Sequence, residues 1–196
     1  MRRSAARAAF LGLLLAASGG HALARVYLTQ QQALEHAFPA PHHVERRTLY
    51  LSEAQLFRAS KAVGEPIESR VIPYYVGLLE GRSTGFAYFD THLVRTLPET
   101  ILVLLGPDGR IVRIDILSFD EPEDYLPTPR WLEQFPGRSA ADDLSLNRGI
   151  RALTGATLSA RAITAAARRV VALHRLFVAP DPLPEGSPEP DGRDLH

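Results

Sequence analysis

The spacing of apolar positions changes character twice along the 196-residue chain. The first stretch is helical and broken. Thr29 stands before Gln30–Ala37 as an N-cap, and Pro39 stops that run. Residues 44–51 read as a strand. Ser52, with Gln55 three residues on, has the form of a capping box and opens a second helix over Glu53–Val63, closed at Gly64. From residue 69 the period falls to two. Strands are predicted over 69–79 and 85–89 around a turn at 80–83. Two more follow over 100–105 and 110–118 around Gly106-Pro107-Asp108-Gly109. Ile101, Val103 and Leu105 alternate with Leu102 and Leu104, so this strand is apolar on both faces and belongs inside a sheet.

The second change comes after a linker, 120–136, that holds four prolines and the aromatics Tyr125, Trp131 and Phe135, with one helical turn predicted over 131–135. Over 158–176, Ile163, Ala166, Ala167, Val170 and Leu173 recur at three- and four-residue steps, the stripe of an amphipathic helix. The predicted class is α+β: an antiparallel sheet, short N-terminal helices and a long C-terminal helix.

Composition changes this picture mainly at the ends. Arg2, Arg3 and Arg7 precede the short apolar run 8–17, and Ala22-Leu23-Ala24 offers a small-residue cleavage site, so residues 1–24 read as a signal peptide. The run is shorter than the roughly 20 residues a spanning helix needs. An uncleaved anchor is the competing reading. Export to the periplasm or cell envelope is therefore expected, with membrane association as the variant. Residues 179–196, rich in Pro, Asp, Glu and Gly, read as a disordered tail. Taking the three arginines of 1–24 from 22 basic residues leaves 19 against 22 acidic ones, a net charge of −3. That balance argues against nucleic acid as a partner. With no cysteine, disulfides and thiolate metal sites are excluded.

The chemistry concentrates where the last helix begins. Thr154-Gly155-Ala156-Thr157-Leu158-Ser159 is small, tightly turning and rich in hydroxyls. Gly155 permits a positive φ. The free amides and positive dipole end of the helix make a phosphate site, to which Thr157 and Ser159 could donate, with Arg161 one turn along. The plainer reading makes Thr154 or Thr157 an ordinary N-cap beside a glycine turn. Elsewhere, adjacent His42 and His43 point to opposite sides of a strand and do not suggest a shared metal. Asp120, Glu121, Glu123 and Asp124 read as a solvated acidic loop. Tyr125 and Trp131 either stack on a planar ligand or anchor the linker to the core. Tyr74, Tyr75 and His92 have no motif around them.

The segment 154–159 resembles the S/T-G-A-T-x-S/T motif of the FMN-binding domain family, which includes the FMN-bearing subunits of Rnf and Na+-translocating NADH:quinone reductase complexes. The order of strands, hairpin, linker, motif and helix is similar over roughly 68–175, giving a predicted domain over 68–178 after an extension at 26–67. The resemblance implies FMN as cofactor, held by Thr154, Gly155, Ala156, Thr157, Leu158 and Ser159. It also implies a phosphoester on Thr157 made from FAD by an exported flavin transferase. Two positions depart from the family. Arg151 stands where an acid linked with transferase recognition is usual, which sets beside the covalent form a module that binds FMN or another phosphorylated ligand noncovalently, without redox turnover. The linker also lacks the Glu-Thr-Pro-Gly segment that approaches the flavin in some members. An electron carrier is expected rather than an independent enzyme. Its partner would be a membrane redox complex, a quinol or a cytochrome, and its flavin ring would be covered by the linker 120–136.

Overall fold

The computed structural model describes residues 25–179. The predicted signal peptide and nearly all of the predicted tail lie outside that range. Six strands form one antiparallel sheet: β1 (Arg25–Val26), β2 (His43–Tyr50), β3 (Val71–Leu79), β4 (Arg82–Leu93), β5 (Pro98–Leu105) and β6 (Ile111–Phe119). Their order is β1-β6-β5-β4-β3-β2. The α+β architecture is as the pattern predicts. β5 sits inside the sheet, with Ile101, Val103 and Leu105 in the core on one face and Leu102 and Leu104 in a second cluster on the other.

Among the described residues, four α-helices and a 3-10 turn at Glu123–Tyr125 accompany the sheet: α1 (Gln30–Ala37), α2 (Glu53–Val63), α3 (Pro129–Leu132) and α4 (Thr157–Leu173), the last continued by a π turn at His174–Val178. The expected capping box forms at Ser52 with Gln55, and the expected cap at Thr29 proves to be a capping box too, with Gln32. Ala33 of α1 and the following Phe38 cover one face of the sheet. α4 covers the other. Its buried stripe contains Ala160, Ile163, Ala166, Ala167 and Val170, and the alanines let the helix approach the strands closely. Ala59 and Val63 of α2 pack with Ala172 and Leu173 of α4.

Two side-chain contacts set the direction of α4. Arg169 bonds Asp90, while His174 bonds Tyr88, so α4 runs antiparallel to β4. The start of α4 therefore lies beside the turn that follows β4, residues 94–97. β4 is longer than the predicted strand 85–89. It takes in Arg82 to Thr84 at its start, so the turn shrinks to Glu80-Gly81, and Asp90 to Leu93 at its end, where the side chains are polar or exposed and hide the strand period. Among the described residues, no helix is long and apolar enough to cross a membrane.

Candidate functional site

Gly155 adopts φ +86°, and a side chain added there would meet open space. Ala156 is the N-cap and supplies no side-chain hydrogen bond. Neither Thr154 nor Thr157 caps the helix, so the ordinary-cap reading falls. Thr157 is the first helical residue, and Ala160 N is bonded inside the helix, to Ala156 O at 2.9 Å. By helix geometry the amides of Thr157, Leu158 and Ser159 precede the internal ladder. They add their dipoles at one spot, where a phosphate is favoured.

The hydroxyls on this turn divide their roles. Thr157 is exposed, and its Oγ1 donates to Leu153 O at 3.2 Å, leaving the oxygen lone pairs to accept or attack. Ser159 is fully buried, and its Oγ donates to Tyr125 O at 2.6 Å. That hydroxyl pins the linker, so Ser159 is left with its main-chain amide for an anion. Leu158 is 42% exposed. Thr154 is exposed on the approach to the turn. Arg161 is also exposed.

A cleft of about 240 Å³ lies at this turn, walled by 155–159, Tyr125, Val94 and Arg95. The Arg95 guanidinium sits 5.1 Å above the Tyr125 ring. The turn is held by Glu121, which is only 8% exposed. Its Oε1 accepts from the amides of Arg95 (3.1 Å), Thr96 (2.8 Å) and Leu97 (3.0 Å) and from Thr96 Oγ1 (3.4 Å). Those amide bonds, Thr96's first, hold its carboxyl below the usual carboxylate range. The expectation of a solvated acidic loop therefore fails at Glu121. Sheet register explains its position: Glu99 pairs with Phe119, so two residues further on the chain lies against the turn before β5. An acid just past the end of β6 was the available signal. Without the strand pairing, nothing in the sequence linked it to 94–97.

Trp131 anchors the linker and is not available for stacking on a ligand. It is 5% exposed, packs edge-on against Phe135 at 5.3 Å, and donates from Nε1 to Arg151 O at 2.7 Å. Arg151 is tied to Gln134 Oε1 through its main-chain amide at 2.9 Å and its Nε at 3.3 Å.

A second constellation lies further along α4. His92 bridges Asp90 Oδ1 (Nδ1, 2.9 Å) and Glu99 Oε2 (Nε2, 3.0 Å). Arg169 binds Asp90 Oδ2 at 2.7 Å and Glu65 Oε1 at 3.2 Å. Burial opposes a charge on His92, but its two carboxylate partners raise its pKa to about 9. Burial also raises Glu99, only partly offset by His92, whereas His92 and Arg169 overcome burial at Asp90 and lower it. Of these groups, Glu65, Asp90, His92 and Arg169 border a groove of about 680 Å³ between α4 and residues 65–73. His92, without a motif in the sequence, is thus the centre of an interior charge network.

Residues 98–172 match the model of the FMN-binding domain family. The matched span opens at the first residue of β5 and closes within α4, so it contains the hairpin, the linker and the motif 154–159. Among curated proteins, none matches the chain.

Proposed function

With residues 98–172 an FMN-binding domain and FMN its cofactor, we propose that the protein is an exported electron carrier whose FMN is joined by a phosphoester to Thr157. The observation that carries this reading is the exposed Thr157 hydroxyl at the first position of a helix without a side-chain cap, beside a cleft. The residues present fit a phosphate. Three leading amides and a positive φ glycine with open space around it form the cradle. In forming the linkage, Thr157 Oγ1 bonds to the FMN phosphorus of FAD, AMP leaves, and the hydroxyl proton passes to solvent. An exported flavin transferase is the implied catalyst.

Bound FMN supplies one- and two-electron redox chemistry. The chain fixes the phosphate end at 155–159 and holds the neighbouring turn 94–97 through Glu121. The N-terminal Arg-rich and apolar segment supports export, and a carrier there exchanges electrons with a membrane redox complex, a quinol or a cytochrome. Arg151 favours a second reading, noncovalent FMN, because it replaces the usual acid before the motif.

Intact-mass spectrometry of protein co-expressed with a flavin transferase tests the attachment. The expected result is a mass gain of one FMN less one water that survives denaturation and disappears in Thr157→Ala. Yellow native protein that loses all flavin on denaturation establishes the noncovalent reading. Arg151→Asp then gains covalent label if Arg151 is what blocks the transferase.

A further inference from the structure

Cross-strand pairing lines up one row of residues at the end of the sheet where β4 and β6 finish and β3 and β5 begin. Val26 pairs with Ser118, Ser118 with Thr100 and Thr100 with Thr91, while Tyr50 pairs with Val71 on the two strands beyond. Side chains directly opposite, or two residues apart on one strand, share a face of the sheet. Thr100 leads to Leu102 and Leu104, Thr91 and Leu93 follow Ala87 and Phe89, and Val71 leads to Tyr75, all members of the cluster beneath α1. The row therefore lies on the face opposite α4, beyond the part that α1 covers.

The row is apolar and wet. Tyr50 is 73% exposed, Leu93 65%, Val26 62% and Val71 49%. Among the described residues eight large hydrophobic side chains are exposed, and four of them stand here, one on each of β1, β2, β3 and β4. Between them come Ser118, Thr100, Thr91 and Pro98, which carry no charge. At about 4.8 Å between neighbouring strands, the row spreads over roughly 24 Å. An apolar band of that width without a charge in it marks an interaction surface.

Two observations choose the partner. The chain enters the fold at Arg25, the residue before Val26. Only residues 18–24 separate it from the apolar run 8–17, at most about 25 Å of chain. A lipid surface takes up the run and the row from the same side. Tyr50 suits that place, since tyrosine has an apolar ring and a hydroxyl that stays wet where membrane meets water. The second observation is that α1 stands on the same face as the row, and a helix is about 10–12 Å across. A flat surface is therefore kept off the middle of that face and meets the row from the end of the sheet. That end also holds the turn 94–97 and, beside it, Thr157 at the start of α4.

We propose, resting on the exported-carrier reading, that this row is a lipid-docking face. The protein sits on the bilayer surface with Val26, Tyr50, Val71 and Leu93 against the headgroups. Thr157 is then held at the membrane end of the molecule, and the electron partner it faces is one embedded in the bilayer.

The chain has no cysteine, so Leu93→Cys and Tyr50→Cys each carry a single polarity-sensitive dye. Val112→Cys, 47% exposed near the start of β6 at the other end of the sheet, is the control. Each is mixed with vesicles of phosphatidylcholine and the anionic phosphatidylglycerol, in a ratio of about three to one. Emission at 93 and at 50 is expected to rise about two-fold or more as the dye leaves water, and to be quenched by spin-labelled lipid, with no change at 112. Unchanged emission at both 93 and 50 overturns the docking face, and so does an equal response at 112. A rise at 93 and 50 that needs no lipid and grows with protein concentration makes the row an interface between copies and overturns it too. The assay uses no flavin, so each of these failures leaves the attachment at Thr157 standing. A chain that fractionates with the cytoplasm overturns the export reading whatever the vesicles show.

Discussion

Glu121→Ala removes the carboxylate that binds the turn between β4 and β5, which is otherwise closed by the Val94 amide donating to Leu97 O. A single carboxylate oxygen there takes three amides at 2.8–3.1 Å and a hydroxyl at 3.4 Å. Hydrogen bonds to a charged group are worth about 1.5–3 kcal/mol each when one partner is deleted. They do not add here, because amides released on a surface turn regain water. A net loss of about 2–4 kcal/mol is expected for Glu121→Ala and about 1–2 kcal/mol for Glu121→Gln, which keeps an oxygen but not the charge. The pH dependence has a definite sign. The folded carboxyl has a depressed pKa, so its contribution is complete above the unfolded value of about 4.3 and is lost as pH falls through the folded value. Urea unfolding at pH 7 and again near pH 3 measures both effects, with the slope of the transition checked for constancy. The gap between wild type and Glu121→Gln should narrow in acid. A Glu121→Ala protein within about 0.5 kcal/mol of wild type at pH 7, or a gap that widens in acid, refutes the clamp.

The buried His174 and the half-buried His92 give opposite pH limbs. Burial lowers the His174 pKa to about 4, so its contribution is present above the unfolded value of about 6.5 and disappears, by about 3 kcal/mol, as pH falls from there towards 4; His174→Phe should flatten that acid limb in a series of thermal melts. His92, raised to about 9 against the opposing effect of burial by Asp90 and Glu99, contributes fully below about 6.5 and loses that contribution as pH rises through about 9. His92→Gln should flatten the alkaline limb of urea stability between pH 7 and 10, and an unchanged alkaline limb would remove His92 from the charge network.

Periodicity made the sheet legible. The doubly apolar run 101–105 announced an interior strand, and a cap at Thr29 and a capping box at Ser52 announced α1 and α2. Each of these signals is local: a cap and its third residue, or a strand and its own alternation. The motif at 154–159 was legible for the same reason, since a turn and the helix it opens are contiguous. The hairpin pairings were legible too; what escaped was which side chains the pairing and the helix packing bring together. Asp90, His92 and Glu99 meet because β4 and β5 pair with His92 opposite Glu99, and Arg169 joins them only after α4 lies antiparallel on β4. Glu121 looked like one acid among four in a polar linker. Only the pairing of β5 with β6 brings it under the turn 94–97.

That distinction bears on where the site ends. The family match begins at Pro98, and the motif lies wholly within the matched span. Yet Val94 and Arg95, which wall the cleft, and Leu93, which borders the groove, come before it. So do Asp90 and His92, and so do residues 65–73 along the far side of the groove. β2, β3 and β4 continue the same sheet as β5 and β6, and α2 packs on the end of α4. The matched segment alone would leave β5 an edge strand, with the paired faces of Ile101 to Leu105 open to water on one side and its main-chain groups unpaired. It would also leave the start of α4 without the turn that faces it. The smallest part of this chain able to present Thr157 in its cleft therefore includes the strands before residue 98, and the preceding segment contributes to the site and to the stability of the sheet alike.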